Sequence, residues 1–195
     1  YERSIENGLD PAHNEFVHPT HGHSAIDRKN YRVRDYETED HRQGWGFWFW
    51  HLFDAPPLPQ KDHETAGGKD TPWGNTRTGE SQVNVGGGTY GPNIMPTYIN
   101  IDATKMFRQY FFEAPVDENN TKIFFLNMRN FLLDPKNNGP IHARNKVIAA
   151  QDIQILATMC PAQTPLSPTK EVLTPSDNAV AAYRKWLGKF DDKGW

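Results

Sequence analysis

Two long apolar segments separated by a polar turn constrain the fold of this chain more than any other feature. Residues 106–115, MFRQYFFEAP, and 121–133, TKIFFLNMRNFLL, are rich in aromatic and aliphatic side chains, and the VDENN between them is typical of a turn. This pattern predicts a β-hairpin. Similar but shorter segments predict further strands at 44–53, 81–90 and 96–101, the first of them buried.

The N-terminal residues 3–18 predict a helix. A proline follows His18, so the helix is expected to end there, because the residue before a proline avoids helical geometry. Pro11 either occupies the first helical position after Asp10 or kinks a helix that began earlier.

Two further helices are expected near the C-terminus, at 142–160 and 174–190. The second opens with Thr174, Pro175 and Asp177, the signature of a capping box. Helices at both ends of the chain with strands between them indicate an α+β fold, an antiparallel sheet with flanking helices.

Charge and composition exclude several classes of protein. A formal net charge of −3 without a basic cluster gives no basis for nucleic-acid binding. No run approaches the ~18 apolar residues of a membrane span, and the N-terminus lacks the apolar core of a signal peptide. Cys160 is the only cysteine, so no internal disulfide forms, and we expect a cytoplasmic protein. The chain lacks an initiator Met, and we expect a single domain, 1–195, from a longer protein.

Four of the eight histidines lie in ENGLDPAHNEFVHPTHGH, residues 6–23. Imidazoles and one carboxylate are the ligands of a non-haem ferrous site, and His13 and His18 could supply two nitrogens if the chain bends between them. Two alternatives remain open at this point. His18, His21 and His23 could bind zinc or copper, or the segment could be a polar loop without a metal.

Asp152 is the informative acid in the later part of the chain. In the predicted helix 142–160, Ile148, Leu156 and Met159 surround its direction, so the acid lies in the middle of an apolar face. A buried carboxylate without a partner is strongly unfavourable, so Asp152 is expected to face a cation, a metal or hydrogen-bond donors.

The segment SIENGLDPAHNEFVH resembles the N-x-x-D-x-x-H-x-x-x-V-H motif of Rieske-type non-haem iron oxygenases, of the aromatic-ring-hydroxylating or O-demethylase type. Asn7, Asp10, His13, Val17 and His18 fall into register without a gap. The motif belongs to the C-terminal catalytic domain of the terminal oxygenase component.

Two later segments are similar to the same domain. AAQDIQILATMCPAQTP resembles the acid-bearing helix of the family, with Asp152 at the iron-ligand position and Gln163 at a later glutamine. Gln151 stands where Glu is frequent. The closing VLTPSDNAVAAYRKWL resembles the terminal helix, with its Tyr183-Arg184 pair.

The resemblance implies a helix-grip cup of the START or Bet v1 type, with Fe(II) held by His13, His18 and Asp152. It implies that Asp10 orients a histidine and links it to the incoming electron, and that Asn7 borders the iron. The implied reaction activates O₂ to hydroxylate or oxidatively demethylate an apolar or aromatic substrate.

Electrons in such oxygenases come from a [2Fe–2S] cluster in the N-terminal Rieske domain of a neighbouring subunit, supplied by an NAD(P)H-dependent reductase or a ferredoxin. The resemblance thus implies a homotrimer when the protein is full-length. The cluster needs two Cys and two His, which a chain with Cys160 alone does not provide, so this fragment is not expected to turn over alone. The rival hypotheses are a metal-free START-like domain that binds hydrophobic ligands and a zinc hydrolase that uses the same three ligands.

Overall fold

The computed structural model describes residues 1–18, 36–41, 43–55, 81–101, 103–165 and 170–189. His21 and His23 of the rival histidine cluster lie outside the described residues, as do residues 56–80, whose many Pro, Gly and Asp residues predict a long loop.

A six-stranded antiparallel sheet forms the centre of the described structure, with every strand next to its neighbour in sequence. The strands are β1 (Thr38–Asp40), β2 (Phe47–Ala55), β3 (Ser81–Gly88), β4 (Ile94–Asn100), β5 (Met106–Pro115) and β6 (Thr121–Arg129). The predicted hairpin is confirmed as β5 and β6, with Phe111 opposite Phe125. In its turn, the carboxylate of Asp117 accepts hydrogen bonds from the backbone of Asn119 and Asn120.

The helices are α1 (Glu2–Leu9), α2 (His13–Val17), α3 (Asn138–Leu156) and α4 (Asn178–Leu187). The predicted helical segment 3–18 is divided into two helices, because the chain leaves helical geometry at Asp10, before Pro11. Proline disfavours helical geometry in the residue that precedes it. The end of the second piece agrees with the prediction, since α2 ends at Val17.

The boundaries of α3 differ from the predicted 142–160 by four residues at each end. The helix starts earlier because Pro140 falls in its first turn, where a missing N–H is tolerated. After Leu156, the Thr158 hydroxyl donates to the Ile155 carbonyl (2.7 Å), a local bond that competes with helix continuation. Before α4, the predicted capping box is present, and the Thr174 N–H donates to the Asp177 carboxylate at 2.6 Å.

The hydrophobic core lies between one face of the sheet and helices α1 and α4. Its buried members are Ile5, Leu9, Tyr36, Phe47, Phe49, Met95, Ala179, Val180, Tyr183, Trp186 and Leu187. The prediction of a buried strand at 44–53 holds for one face of β2 only. Phe47 and Phe49 alternate with the exposed Trp50 and Leu52 along β2. Helices cover one face of a strand whose two faces are both apolar.

A glycine allows α1 to lie close to the sheet. A Cβ atom at Gly8 would come within 2.1 Å of the Met95 sulfur on β4. A larger residue at this position would therefore require the Met95 side chain to move. Within the described residues, the helices include none long and apolar enough to span a membrane. The architecture confirms the predicted α+β class, with an antiparallel sheet and flanking helices.

Candidate metal centre

Three predicted ligands converge where the N-terminal helices meet α3. The break at Asp10 turns the chain so that His13, at the start of α2, and His18, just after its end, approach the same point. The two ring centroids are 5.2 Å apart. Asp152 on α3 completes the group, and α3 packs against both α1 and α2.

The distances suit a shared ion. Asp152 Oδ1 lies 3.1 Å from His18 Nε2 and 3.7 Å from His13 Nε2. One ligand atom from each of these residues lies within 4.8 Å of the others. Donor atoms ~2.1 Å from a common ion lie about 3–4 Å apart. The arrangement of two imidazoles and one carboxylate is therefore close to that of a three-ligand site with open coordination positions.

Each of the three residues also has a further hydrogen-bond partner, which for the two histidines lies at the ring nitrogen opposite the shared point. His13 Nδ1 contacts the backbone carbonyl oxygen of Asp10. His18 Nδ1 lies 2.9 Å from Gln151 Oε1, and the Asn7 side-chain amide donates to Asp152 Oδ1 at 3.0 Å. Outer partners of this kind fix ring orientation and carboxylate position in metal sites.

The protonation states favour cation binding. Burial lowers the pKa of His13, so its imidazole is neutral and able to ligate at neutral pH. Burial alone would raise the pKa of Asp152, but hydrogen bonds from His18 and Asn7 outweigh it and hold this pKa below its usual range. Asp152 is therefore ionised, as a metal ligand must be.

Asp10 was expected to orient a histidine. It contacts His13 through its backbone carbonyl and not through its side chain. Its carboxylate accepts from the Ala12 N–H at 2.8 Å, whereas its backbone carbonyl meets His13. Burial, with a contribution from the nearby Asp177, raises the pKa of Asp10 to about 6. The carboxyl is thus held in an apolar setting beside the histidine.

The face of α3 around Asp152 is less buried than predicted. The Asp152 side chain is 24% exposed, and Ile148 and Leu156 beside it are half-buried. Val147, Ile153 and Ile155 are exposed. The apolar pattern of α3 predicted that this face is buried in a core. Instead α3 packs on α1 and α2, and part of its apolar surface stays exposed.

A buried ionic network that the sequence did not reveal holds α1 in place. Glu6, next to Asn7, accepts from Arg184 Nε (2.6 Å), Arg3 Nη1 (3.0 Å) and the Thr164 hydroxyl (3.0 Å). Glu171 bonds both arginines, and these hydrogen bonds, that of Arg3 foremost, lower its pKa to about 2. The i,i+3 pair of opposite charges on α1 is the one signal of this network in the sequence.

Two other residues that the resemblance aligned, Tyr183 and Gln163, differ from each other in burial. Tyr183 is fully buried, and its hydroxyl donates to the Pro92 carbonyl at 2.6 Å. Gln163 is exposed.

A known protein family matches nearly the whole chain. Residues 1–192 match the vanillate O-demethylase oxygenase C-terminal domain family. No curated protein sequence matches the chain.

Among solved structures, the chain is similar to Pseudomonas putida CBB5 NdmA. The NdmA QL mutants with theobromine and with caffeine each give a TM-score of 0.66 at 20% identity, covering 96% of this chain and 45% of theirs. NdmA itself gives 0.65 at 19% identity, covering 96% of this chain and 44% of that one. The likeness shows a shared fold, and this chain spans less than half of each of those chains. Because the family match extends over nearly the whole sequence, the chain belongs to the vanillate O-demethylase oxygenase C-terminal domain family, the catalytic domain of Rieske-type oxygenases.

Proposed function

We propose that this domain binds one ferrous ion through His13, His18 and Asp152 and uses O₂ to oxidise an apolar or aromatic substrate. The observation that supports it most is the convergence of Asp152 Oδ1 with both Nε2 atoms, at 3.1 and 3.7 Å. When bound, iron supplies one-electron redox chemistry and open coordination positions for O₂.

The side chains around the centre hold the ligands in a form suited to this role. Asn7 donates to Asp152 and so limits the rotation of the carboxylate, while placing an amide at the border of the site. The Asp10 carbonyl directs His13 Nε2 toward the centre by accepting from Nδ1. The same donors could hold zinc for hydrolysis, but membership of an oxygenase family favours iron.

The substrate is proposed to be a methylated aromatic molecule that loses its methyl group. The family is named for an O-demethylase, and the two NdmA QL mutant structures contain theobromine or caffeine. Oxidation of the methyl carbon balances as R–X–CH₃ + O₂ + NAD(P)H + H⁺ → R–X–H + HCHO + H₂O + NAD(P)⁺, where X is oxygen or nitrogen. The C–H bond becomes C–OH, and loss of formaldehyde then breaks the X–C bond.

The sheet face on the α1 side offers a surface for such a molecule. The rings of Phe111 and Phe125 lie 4.6 Å apart on this face. Gln109 and Asn127 are directly opposite each other, two register positions along on the same face, and the buried Asn127 Oδ1 has no hydrogen-bond partner among the described residues. An aromatic body with one polar edge would satisfy both features.

The electrons are proposed to reach the site through Asp10 from a [2Fe–2S] domain of a neighbouring subunit, reduced by an NAD(P)H-dependent reductase or a ferredoxin. Asp10 supports this proposal because its backbone carbonyl contacts His13 while its carboxyl faces Asp177 and Ala12. The homotrimer implied by the sequence resemblance remains part of the same proposal.

The deciding experiment measures iron content beside NADH-coupled formaldehyde release from methylated aromatic compounds. Chain 1–195 should bind one iron without sustained turnover, whereas the complete protein with its reductase should release formaldehyde. Asp10→Asn in the complete protein should retain iron but lose most turnover. Stoichiometric zinc with hydrolysis and no oxygen uptake would establish the zinc hydrolase instead, and less than stoichiometric metal would favour the metal-free ligand-binding domain.

A further inference from the structure

Gln151 and Asp152 are consecutive residues of α3, and they contact opposite nitrogens of the same imidazole. Gln151 Oε1 lies 2.9 Å from His18 Nδ1, and Asp152 Oδ1 lies 3.1 Å from His18 Nε2. His18 itself is only 1% exposed. The ring is therefore held at both ends by one turn of a helix that lies more than 130 residues further along the chain.

We propose that Gln151 is a positioning residue that sets the orientation and proton of His18 for metal binding, an inference that rests on the proposed function. When Nε2 ligates a metal, the remaining ring proton must reside on Nδ1. An amide oxygen can only accept, so Oε1 at 2.9 Å fits an Nδ1–H donor. Gln151 then stabilises the tautomer in which Nε2, beside Asp152 Oδ1, can bind the metal.

The amide differs from a carboxylate at this position in a way that matters for the metal. A Glu would also accept from Nδ1–H, but its negative charge would make the imidazole a stronger ligand. With Gln151, the acceptor is neutral and Asp152 supplies the anionic ligand of the cluster. The acceptor for His13 is also neutral, because its Nδ1 contacts the backbone carbonyl of Asp10. Both imidazoles are thus oriented without added negative charge.

The experiment uses chain 1–195 and cobalt(II) as a probe, with Gln151→Leu, Gln151→Glu and the matched control Gln154→Leu. Gln154 is exposed on the same helix, so its substitution makes the same chemical change away from the ring. Cobalt affinity is measured by titration. Proton NMR of the cobalt-loaded protein detects the hyperfine-shifted, exchangeable Nδ1–H signals of the ligating histidines.

We expect Gln151→Leu to weaken cobalt binding about 10- to 100-fold and to lose one of two exchangeable imidazole signals to solvent exchange. Gln154→Leu should change neither. Gln151→Glu should keep both signals, shift one of them, and bind cobalt at least as tightly as the parent chain. If Gln151→Leu does not fold, the Gln151→Glu result decides.

The failures of the two proposals are distinguishable. If the parent chain binds no cobalt at the cluster, the metal-centre proposal itself is overturned. If the parent chain binds cobalt with two exchangeable imidazole signals, and Gln151→Leu or Gln151→Glu leaves both affinity and signals unchanged, only the role of Gln151 is overturned.

Discussion

Two regions of the molecule have similar apolar sequences but differ in burial: the closed end, where α1 and α4 pack on the sheet, and the open end, around α3 and β6. Where α1 and α4 meet the sheet, Ile5, Leu9 and Tyr183 are 0% exposed. Around α3 and β6, by contrast, Ile153 and Phe125 remain exposed. The closed end supplies the burial that stabilises the fold, whereas the open end leaves apolar surface available to a ligand. The cluster of His13, His18 and Asp152 lies where these two regions meet, since α2 and its flank bring the histidines and α3 brings the acid.

Removing one of the three proposed metal ligands should produce the largest effect on iron binding, because each supplies one coordinating atom where the two regions meet. His13→Ala, His18→Ala and Asp152→Ala should each lower iron affinity well over ~100-fold, beyond the loss typical of an outer partner. Asp152→Asn should also lose iron, since the carboxylate charge offsets the cation. Iron content after desalting measures this.

His142→Ala is the control, because this histidine is exposed on α3. His21→Ala and His23→Ala should also retain iron. Equal iron loss in His21→Ala and Asp152→Ala would redirect the site to the histidine-rich segment after His18.

Truncating an apolar side chain should lower the free energy of unfolding much more at the closed end than at the open end. Leu187→Ala, at a side chain 2% exposed in α4, should lower the free energy of unfolding by about 2–5 kcal/mol. Ile153→Ala, at a side chain 59% exposed in α3, should lower it by less than ~0.5 kcal/mol. Urea unfolding followed by circular dichroism measures both, and equal losses would contradict the division.

A titratable group at the closed end should make stability depend on pH. Burial raises the pKa of Glu113 to about 7, and the hydrogen bond from Ser4 (2.8 Å) only partly opposes this. The folded state therefore binds this proton more tightly than the unfolded chain. The unfolding free energy should fall as pH rises from about 4.5 to about 7, by roughly 3 kcal/mol from this group.

Glu113→Gln keeps a polar group of similar size and cannot ionise, so it should flatten that part of the pH profile. Urea midpoints at pH 5 and pH 8 compare the two proteins. A variant whose midpoint still falls as steeply as the parent's would assign the pH dependence to another group.

The smallest effect is expected for ligand binding at the open end. Ile148 and Leu156 flank Asp152 and are half-buried. Ile148→Ala or Leu156→Ala should weaken the binding of an aromatic ligand about three- to tenfold, as loss of apolar contact predicts. Val172→Ala is the control, since Val172 is 94% exposed. Calorimetry with methylated aromatic compounds measures the change, and equal losses in control and test variants would contradict this assignment of the surface.

Local features of the fold were predictable because they depend on neighbours in sequence. The β5–β6 hairpin follows from two apolar segments around a polar turn, and the capping box at Thr174 from residues three apart. The break near Pro11 was anticipated as one of two possibilities. Helix ends were misplaced in α3, since tertiary contacts and side-chain bonds such as that of Thr158 decide them.

The sequence by itself determined the residue types of the centre, the order of helices and strands, and the family to which the chain is similar. Only the tertiary structure decided that Asp152 meets His13 and His18, that Gln151 faces His18 Nδ1, and which apolar faces stay exposed. Periodicity records which side of an element is apolar, but not which element covers it. Contacts between residues more than 130 positions apart depend on how the helices pack, and packing is a property of the whole chain.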